Sequence, residues 1–332
     1  MRILFTYPYL STFIQSDLNI LQKYFDVKTV GSFRRNILKF LRGIAWADLT
    51  YCWFADFSAF VAVLLSKILR KKVVVVLGGF EVAKIPEIRY GLLLSSLFSF
   101  MVRFTLKGAD VVLAVEEGLK RDAIKNVGMG DNIQVLHLGY DPELFKPGGK
   151  KNKLVITAAQ GDSWRRILVK GIDVFVEAAK YMPEVKFVVI GVHGEALEKL
   201  RSLAPSNASF TGFIPQEELI SYYQRASVYC QLSMREGFSS ALCEAMLCEC
   251  VPVGTERGGI PTVIGGEGFY VPYGDSKATA DAIRKALKSK KGRNARKGIE
   301  KLFPLKKREE RLVSIITDLY QAQIAPKSSI EL

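Results

Sequence analysis

Short apolar runs alternate with amphipathic stretches along the whole chain, and the spacing is regular enough to name elements. Runs at 2–7, 27–30, 49–53, 72–77, 109–114 and 133–137 read as strands. Segments from the Pro8 turn to about Tyr24, and at 34–42, 57–69 and 89–107, carry a helical period. The run KVVVVL at 72–77 is apolar without alternation, as expected of a strand buried on both faces of a parallel sheet. A second series begins at 154–159, with further strands at 185–190, 209–212, 228–232 and 250–254. Its helices start at Ile172, Glu195, Glu217 and Ser240, with later ones at 277–287 and 305–323. Strand–helix alternation throughout predicts two doubly wound, Rossmann-like α/β domains, a plan in which two halves face each other across a cleft. Between the series, GYDPELFKPGG at 139–149 concentrates turn residues and two prolines, so it reads as the linker. The expected division is 1–148, 149–310, and a C-terminal helix at 311–332 whose packing back onto the first domain is left open.

Composition agrees with a folded chain. Its 332 residues suit two cores of roughly 150 residues each. The formal charge is +14 and unevenly placed: 20 cations against 13 anions in 1–150, 13 against 15 in 151–283, and 13 against 3 in 284–311. The basic 284–311 stretch makes a nucleic-acid-binding protein the alternative reading, although Phe303 is its one aromatic residue. Five cysteines (52, 230, 243, 248 and 250) include no Cys-x-x-Cys, and His137 and His193 lack partners at ligand spacing. Buried thiols, no metal site and a reducing cytoplasmic compartment are the expectation. The N-terminal MRILFTYPYL reads as a strand and a Pro turn rather than a signal peptide. Residues 89–107 are the most apolar stretch, with 13 uncharged residues between Arg89 and Arg103, short of the roughly 20 that span a bilayer. A core helix is the simpler reading. A helix lying in an anionic membrane interface, which would place the protein at the inner face of the membrane, is the other.

Candidate chemistry gathers in 233–255, SMREGFSSALCEAMLCECVPVGT. Glu236 falls in a loop after a strand, and Glu244 in the first turns of the helix that Ser239 or Ser240 would cap. Gly237 between them admits close backbone approach. Carboxylates accept hydrogen bonds from sugar hydroxyls, and amides at a helix start favour phosphate oxygens. Arg165, its neighbour Arg166, and Lys170 fall between the first strand of the second domain and its helix, where their charge could neutralise a diphosphate without a metal. The sequence contains no Asp-x-Asp. In the first domain, Gly78, Gly79 and Glu81 follow the fourth strand, where acceptor contacts or a mere turn are equally expected.

EGFSSALCE resembles the Glu-x7-Glu signature of family 4 glycosyltransferases, which are retaining enzymes of the GT-B fold. KGID at 170–173, GFIP at 212–215, GGIP at 258–261, GFYVP at 268–272 and GYDPELFKPG occur in the corresponding order. The resemblance implies a hexosyl transfer from a UDP- or GDP-sugar to a glycan or lipid-linked acceptor, with no cofactor and no nucleic acid. It implies that Glu244 holds the ribose, and that Glu236 meets donor-sugar hydroxyls beside the amides of Gly237, Phe238, Ser239 and Ser240. Arg165 and Lys170 would steady the leaving diphosphate, and Gly212, Phe213 and Ile214 would lie beside the base. The sequence departs from the family in its first loop (PYLST), in GGFE where a histidine is common, and in Thr262 after Pro261. A fold that binds nucleotide-sugar without catalysis is a third reading.

Overall fold

A computed structural model describes residues 1–128 and 130–324. The chain forms two compact units, one comprising Met1–Leu138 with Lys306–Leu332 and the other Gly139–Leu305. In the first unit β1 (Arg2–Tyr7), α1 (Thr12–Tyr24), β2 (Asp26–Gly31), α2 (Ile37–Trp46), β3 (Leu49–Trp53) and α3 (Phe57–Ile68) are followed by β4 (Lys72–Leu77). Then come α4 (Ser96–Gly108), β5 (Val111–Ala114), α5 (Glu117–Val127) and β6 (Ile133–Val135). All pairings are parallel, in the order β2-β1-β3-β4-β5-β6. β4 is central and its residues from Val73 to Leu77 are buried, which is why that run is uniformly apolar.

The second unit runs β7 (Asn152–Gly161), α6 (Trp164–Lys170), α7 (Ile172–Ala179), β8 (Lys186–Val192), α8 (Gly194–Leu203), β9 (Ala208–Gly212), α9 (Gln216–Arg225) and β10 (Ala226–Gln231). It continues with α10 (Ser240–Leu247), β11 (Val251–Thr255), α11 (Ile260–Ile264), β12 (Phe269–Val271), α12 (Ser276–Lys288) and α13 (Gly292–Leu302). Its sheet is also parallel, ordered β12-β11-β10-β7-β8-β9. The core packs Val155, Phe187, Val189, Val228 and Val253 of the strands against Phe175, Val176, Ile283 and Ala286 of the helices. A final helix, α14 (Leu305–Ile324), returns to the first unit.

Three local differences from the sequence-based expectation have physical causes. The 89–107 segment is one helix only from Ser96, because Arg89 adopts a left-handed conformation (φ 49°) and Gly91 sits at φ 114°. A Cβ on Gly91 would stand 2.0 Å from the Ala83 carbonyl oxygen. The stretch holding Arg165 and Lys170 is a short helix rather than a loop, ended by Gly171 at φ 63°. The linker belongs to the second unit: the Tyr140 N–H donates to Phe303 O at 2.9 Å and the Leu305 N–H to Tyr140 O at 3.1 Å. Residues 325–332, the end of the expected C-terminal helix, lie outside the described residues. Among the described residues no helix is long and apolar enough to cross a membrane.

Candidate active site

An open parallel sheet binds ligands beyond its strand carboxyl ends, where the strand order reverses. In the second unit that reversal falls between β7 and β10. β7 leads into α6, which ends in Lys170, and β10 leads into the loop that carries Glu236. The two side chains meet there. Lys170 Nζ lies 2.7 Å from Glu236 Oε2, with the carboxylate mostly enclosed and the lysine partly open.

Several strand-end loops fix the Glu236 segment. Gly171, with no side chain, lets its backbone approach Leu232, whose carbonyl oxygen would be 2.2 Å from a Cβ. The Met234 N–H donates to Val169 O at 2.8 Å, and Thr255 Oγ1 donates to Ser233 O at 2.6 Å. Gly258 (φ 53°) lies so close that a Cβ would be 2.0 Å from Glu236 O, and the Gly259 N–H donates to that same oxygen at 3.1 Å. The GGIP motif is therefore the seat of the Glu236 backbone.

Side chains then orient the carboxylate. Gln231 Nε2 and Ser233 Oγ each donate to Glu236 Oε2 at 3.2 Å. Gln231 Oε1 accepts from Ser239 Oγ at 2.6 Å, and Tyr229 OH stands 3.3 Å from it. With hydroxyls on its oxygen and a carboxylate on its nitrogen, the buried amide has one sensible orientation. Lys170 and the two neutral donors all converge on Oε2. Ser239 is the N-cap residue of α10, yet its hydroxyl is turned to Gln231 and makes no capping bond, so the first-turn amides of α10 have no side-chain acceptor from it.

Glu244 sits one turn into α10, buried, with Tyr223 of α9 donating to its Oε2 at 3.1 Å. Burial pushes its carboxyl up to about 7, and the single hydroxyl opposes that only in part. Arg165 and Arg166 are exposed at the start of α6, with Arg166 3.7 Å from Asp162. Gly212 (φ 70°) and Phe213, 74% exposed, occupy the carboxyl end of the edge strand β9, with Ile214 half-buried beside them. Phe238 is a core residue, stacked on Tyr140 (6.4 Å) and edge-on to Phe303 (5.1 Å), so Gly237 and the backbone of 238–240 are what that stretch offers a ligand.

In the first unit the order reverses between β1 and β3, where the exposed Tyr9 ring stacks on Phe54 at 5.8 Å. Glu81 is buried and directed inward: it accepts from the N–H groups of Gly78 (3.0 Å), Gly79 (2.7 Å) and Ala55 (3.4 Å). Its carboxylate braces the loops after β3 and β4. Gly78 is needed beneath Phe54, whose ring would be 2.2 Å from a Cβ. All five cysteines are buried thiols.

The fold defined by these two units is the GT-B type of glycosyltransferase. The Anabaena protein Alr3699/HepE, solved with UDP-glucose, superposes with a TM-score of 0.80 at 17% identity, over 96% of this chain and all of that one. Sucrose-phosphate synthase from Thermosynechococcus elongatus does so at 0.81 and 15%, over 97% and 99%. Within the second unit, residues 142–301 match the family profile of glycosyl transferases group 1. The capsular polysaccharide biosynthesis glycosyltransferase CapM of Staphylococcus aureus is 30% identical over 233 residues, 61% of this chain and 60% of that one. Sulfoquinovosyl transferase SQD2 of Arabidopsis thaliana is 25% identical over 275 residues, 76% and 53% respectively. The chain thus spans between half and two thirds of the length of these curated relatives.

Proposed function

We propose that the chain is a retaining glycosyltransferase that moves a hexosyl group from a UDP- or GDP-sugar to a glycan or lipid-linked acceptor. The observation that carries this reading is the Lys170–Glu236 pair at the strand-order reversal, with Glu244 on the helix that leaves the same loop. Glu244 accepts the ribose hydroxyls. Glu236, with Oε2 held by three donors, offers Oε1 to hydroxyls of the donor sugar. Lys170 and, from the same helix, Arg165 neutralise the diphosphate as it departs, assisted by the α10 amides. Charge held in place where negative charge develops lowers the barrier without reorganisation at the moment of reaction. The departing phosphate oxygen, on the face the acceptor attacks, takes the acceptor proton, and configuration is retained. The donor charge is met by side chains, and the sequence has no Asp-x-Asp to hold a divalent ion, so the reading is metal-independent.

The best-anchored cations of the basic stretch serve the fold rather than a nucleic acid. Lys291 donates to Gly266 O at 2.6 Å, and Arg296 donates to the carbonyls of Leu247, Phe145 and Pro142 at 2.5–3.1 Å. The neighbour solved with UDP-glucose makes UDP-sugars the first donors to test. In a panel of UDP-, GDP- and ADP-sugars, one donor should be hydrolysed or transferred. Glu236→Ala should lower kcat by about 10²-fold or more, as loss of a transition-state contact does, while Glu244→Ala should act mainly on donor KM. Binding without turnover for every donor would leave the non-catalytic reading standing.

A further inference from the structure

The first unit carries a second surface, built from three adjacent helices. α2 packs on β1 and β2 and touches α3, and α3 packs on β3, β4 and α4. Right-handed crossovers put successive helices that step in one direction along a sheet on the same face. Large apolar side chains stand out from them: Leu38 is 69% exposed, Ile68 69%, Leu97 66% and Phe100 60%. An unbroken series of ring contacts joins the helices, from Phe40 to Phe33 (4.8 Å), Phe57 (5.4 Å), Phe60 (6.5 Å) and Phe100 (6.4 Å). Just ahead of and at the start of α4, Pro86, Leu92, Leu94 and Phe98, together with Arg89, line a hollow of about 500 Å³. Contiguous exposed apolar surface of this kind marks an interaction site.

Charge identifies the occupant. Segments 35–46, 57–72 and 92–108 contain nine Lys or Arg and no Asp or Glu. Arg35, Lys39, Arg42, Lys67, Arg70 and Lys107 are exposed among the apolar residues. Two carboxylates flanking these helices in sequence are spent internally, since Asp56 caps α3 through the N–H groups of Ser58 and Ala59 and Asp110 pairs with Lys72 at 2.8 Å, while Glu87 beside Pro86 is an exposed acidic residue at the margin. A second copy of this face would set like charges against each other. A bilayer with anionic headgroups matches both features at once, taking the aliphatic and aromatic tips into its acyl boundary and the cations at its phosphates.

We infer that the α2–α3–α4 face is a docking surface for an anionic lipid bilayer. The surface belongs to the first unit and the candidate donor residues to the second, so the two ideas fail independently. The test is co-sedimentation of the full chain with vesicles of phosphatidylcholine alone or mixed with phosphatidylglycerol, at low and high salt, beside a UDP-induced thermal shift on each sample. The chain should bind the mixed vesicles far better than the neutral ones, and lose most of that binding at high salt. The pair Leu97→Glu with Phe100→Glu, and separately Lys39→Glu with Arg42→Glu, should each weaken partitioning by roughly tenfold or more, with the UDP shift unchanged. Absence of binding, equal binding to neutral vesicles, or a dimer abolished by the same substitutions would each overturn the inference.

Discussion

At neutral pH the Glu244 carboxyl stands near the middle of its titration, since burial raises it to about 7. Two consequences follow from linkage. Between the usual glutamate value near 4.5 and about 7, the folded chain holds a proton that the unfolded chain has released. Its contribution to stability therefore falls as pH rises through that window and levels off above it. Glu244→Gln should remove this slope from a plot of denaturation midpoint against pH. On the proposed reading ribose hydroxyls donate to the ionised form of Glu244, and donor binding would then require its deprotonation. Affinity for UDP-glucose, whose diphosphate diester does not titrate in this range, should rise by up to tenfold per pH unit below 7 and then plateau; calorimetry from pH 5.5 to 8.5 would measure it. A flat profile would mean that Glu244 does not face the nucleotide. The glutamates were legible in the sequence because Gly237 and a helix start frame them. Gln231 and Ser233 were not singled out, although Tyr229, Gln231 and Ser233 form an i, i+2, i+4 polar row running off a buried strand, which is the signal that a strand end faces something polar. Glu81 looked like a candidate beside two glycines, but only the fold reveals that three backbone N–H groups consume it.

Between residue and fold, the site depends on one joint: α6 stops at Gly171 and α7 begins immediately after it. The left-handed turn aims Lys170 across the loop, and the missing side chain lets the joint rest on Leu232 O. An alanine there meets both obstacles, an unfavourable φ that costs about 1–3 kcal/mol and a backbone collision that no rotamer relieves. Gly171→Ala should lower the unfolding midpoint and also reduce turnover, by displacing Lys170 from Glu236. Gly128→Ala, at the end of α5 in the first unit, is the control, since its φ of 80° carries the same conformational cost with nothing within 4 Å of the added carbon. If the two substitutions prove equally mild in activity, the joint does not position Lys170. Strands and long helices were legible from their periods, because burial on two faces and on one stripe leaves different patterns. The short helix α6 was not, since seven residues reading WRRILVK hold too few periods to distinguish a helix from a loop. The break ahead of α4 was hidden for the opposite reason: an apolar run looks continuous, and the left-handed turn at Arg89 leaves no mark in hydropathy.

On the scale of the whole chain, the decisive event is the return of the backbone to the first unit after residue 305. Arg308, 2% exposed, makes that return specific. Its Nε and one terminal nitrogen hold the two oxygens of the fully buried Asp17 at 2.6 and 2.7 Å, and its other terminal nitrogen donates to Leu136 O and His137 O at 2.8 Å. Tyr51 OH completes the carboxylate at 2.8 Å. Every guanidinium edge is thus used to tie α14 to α1 and to the chain just after β6. Nothing in the run KKREER at 306–311 distinguishes Arg308 from its solvated neighbours, which is why sequence alone read the helix itself at 305–323 but left its packing open and set the domain division a few residues late, after 310 rather than 305. A buried pair with all its partners is costly to break and inexpensive to replace as a unit, because a single removal strands the other charge. Arg308→Met and Asp17→Asn should each destabilise the full chain by roughly 3–5 kcal/mol, while the double variant should lose clearly less than the sum, a coupling readable in a urea-denaturation cycle. Additive losses would mean that the two side chains act separately and that α14 is held by its apolar contacts, among them the buried Leu312 and Ile316.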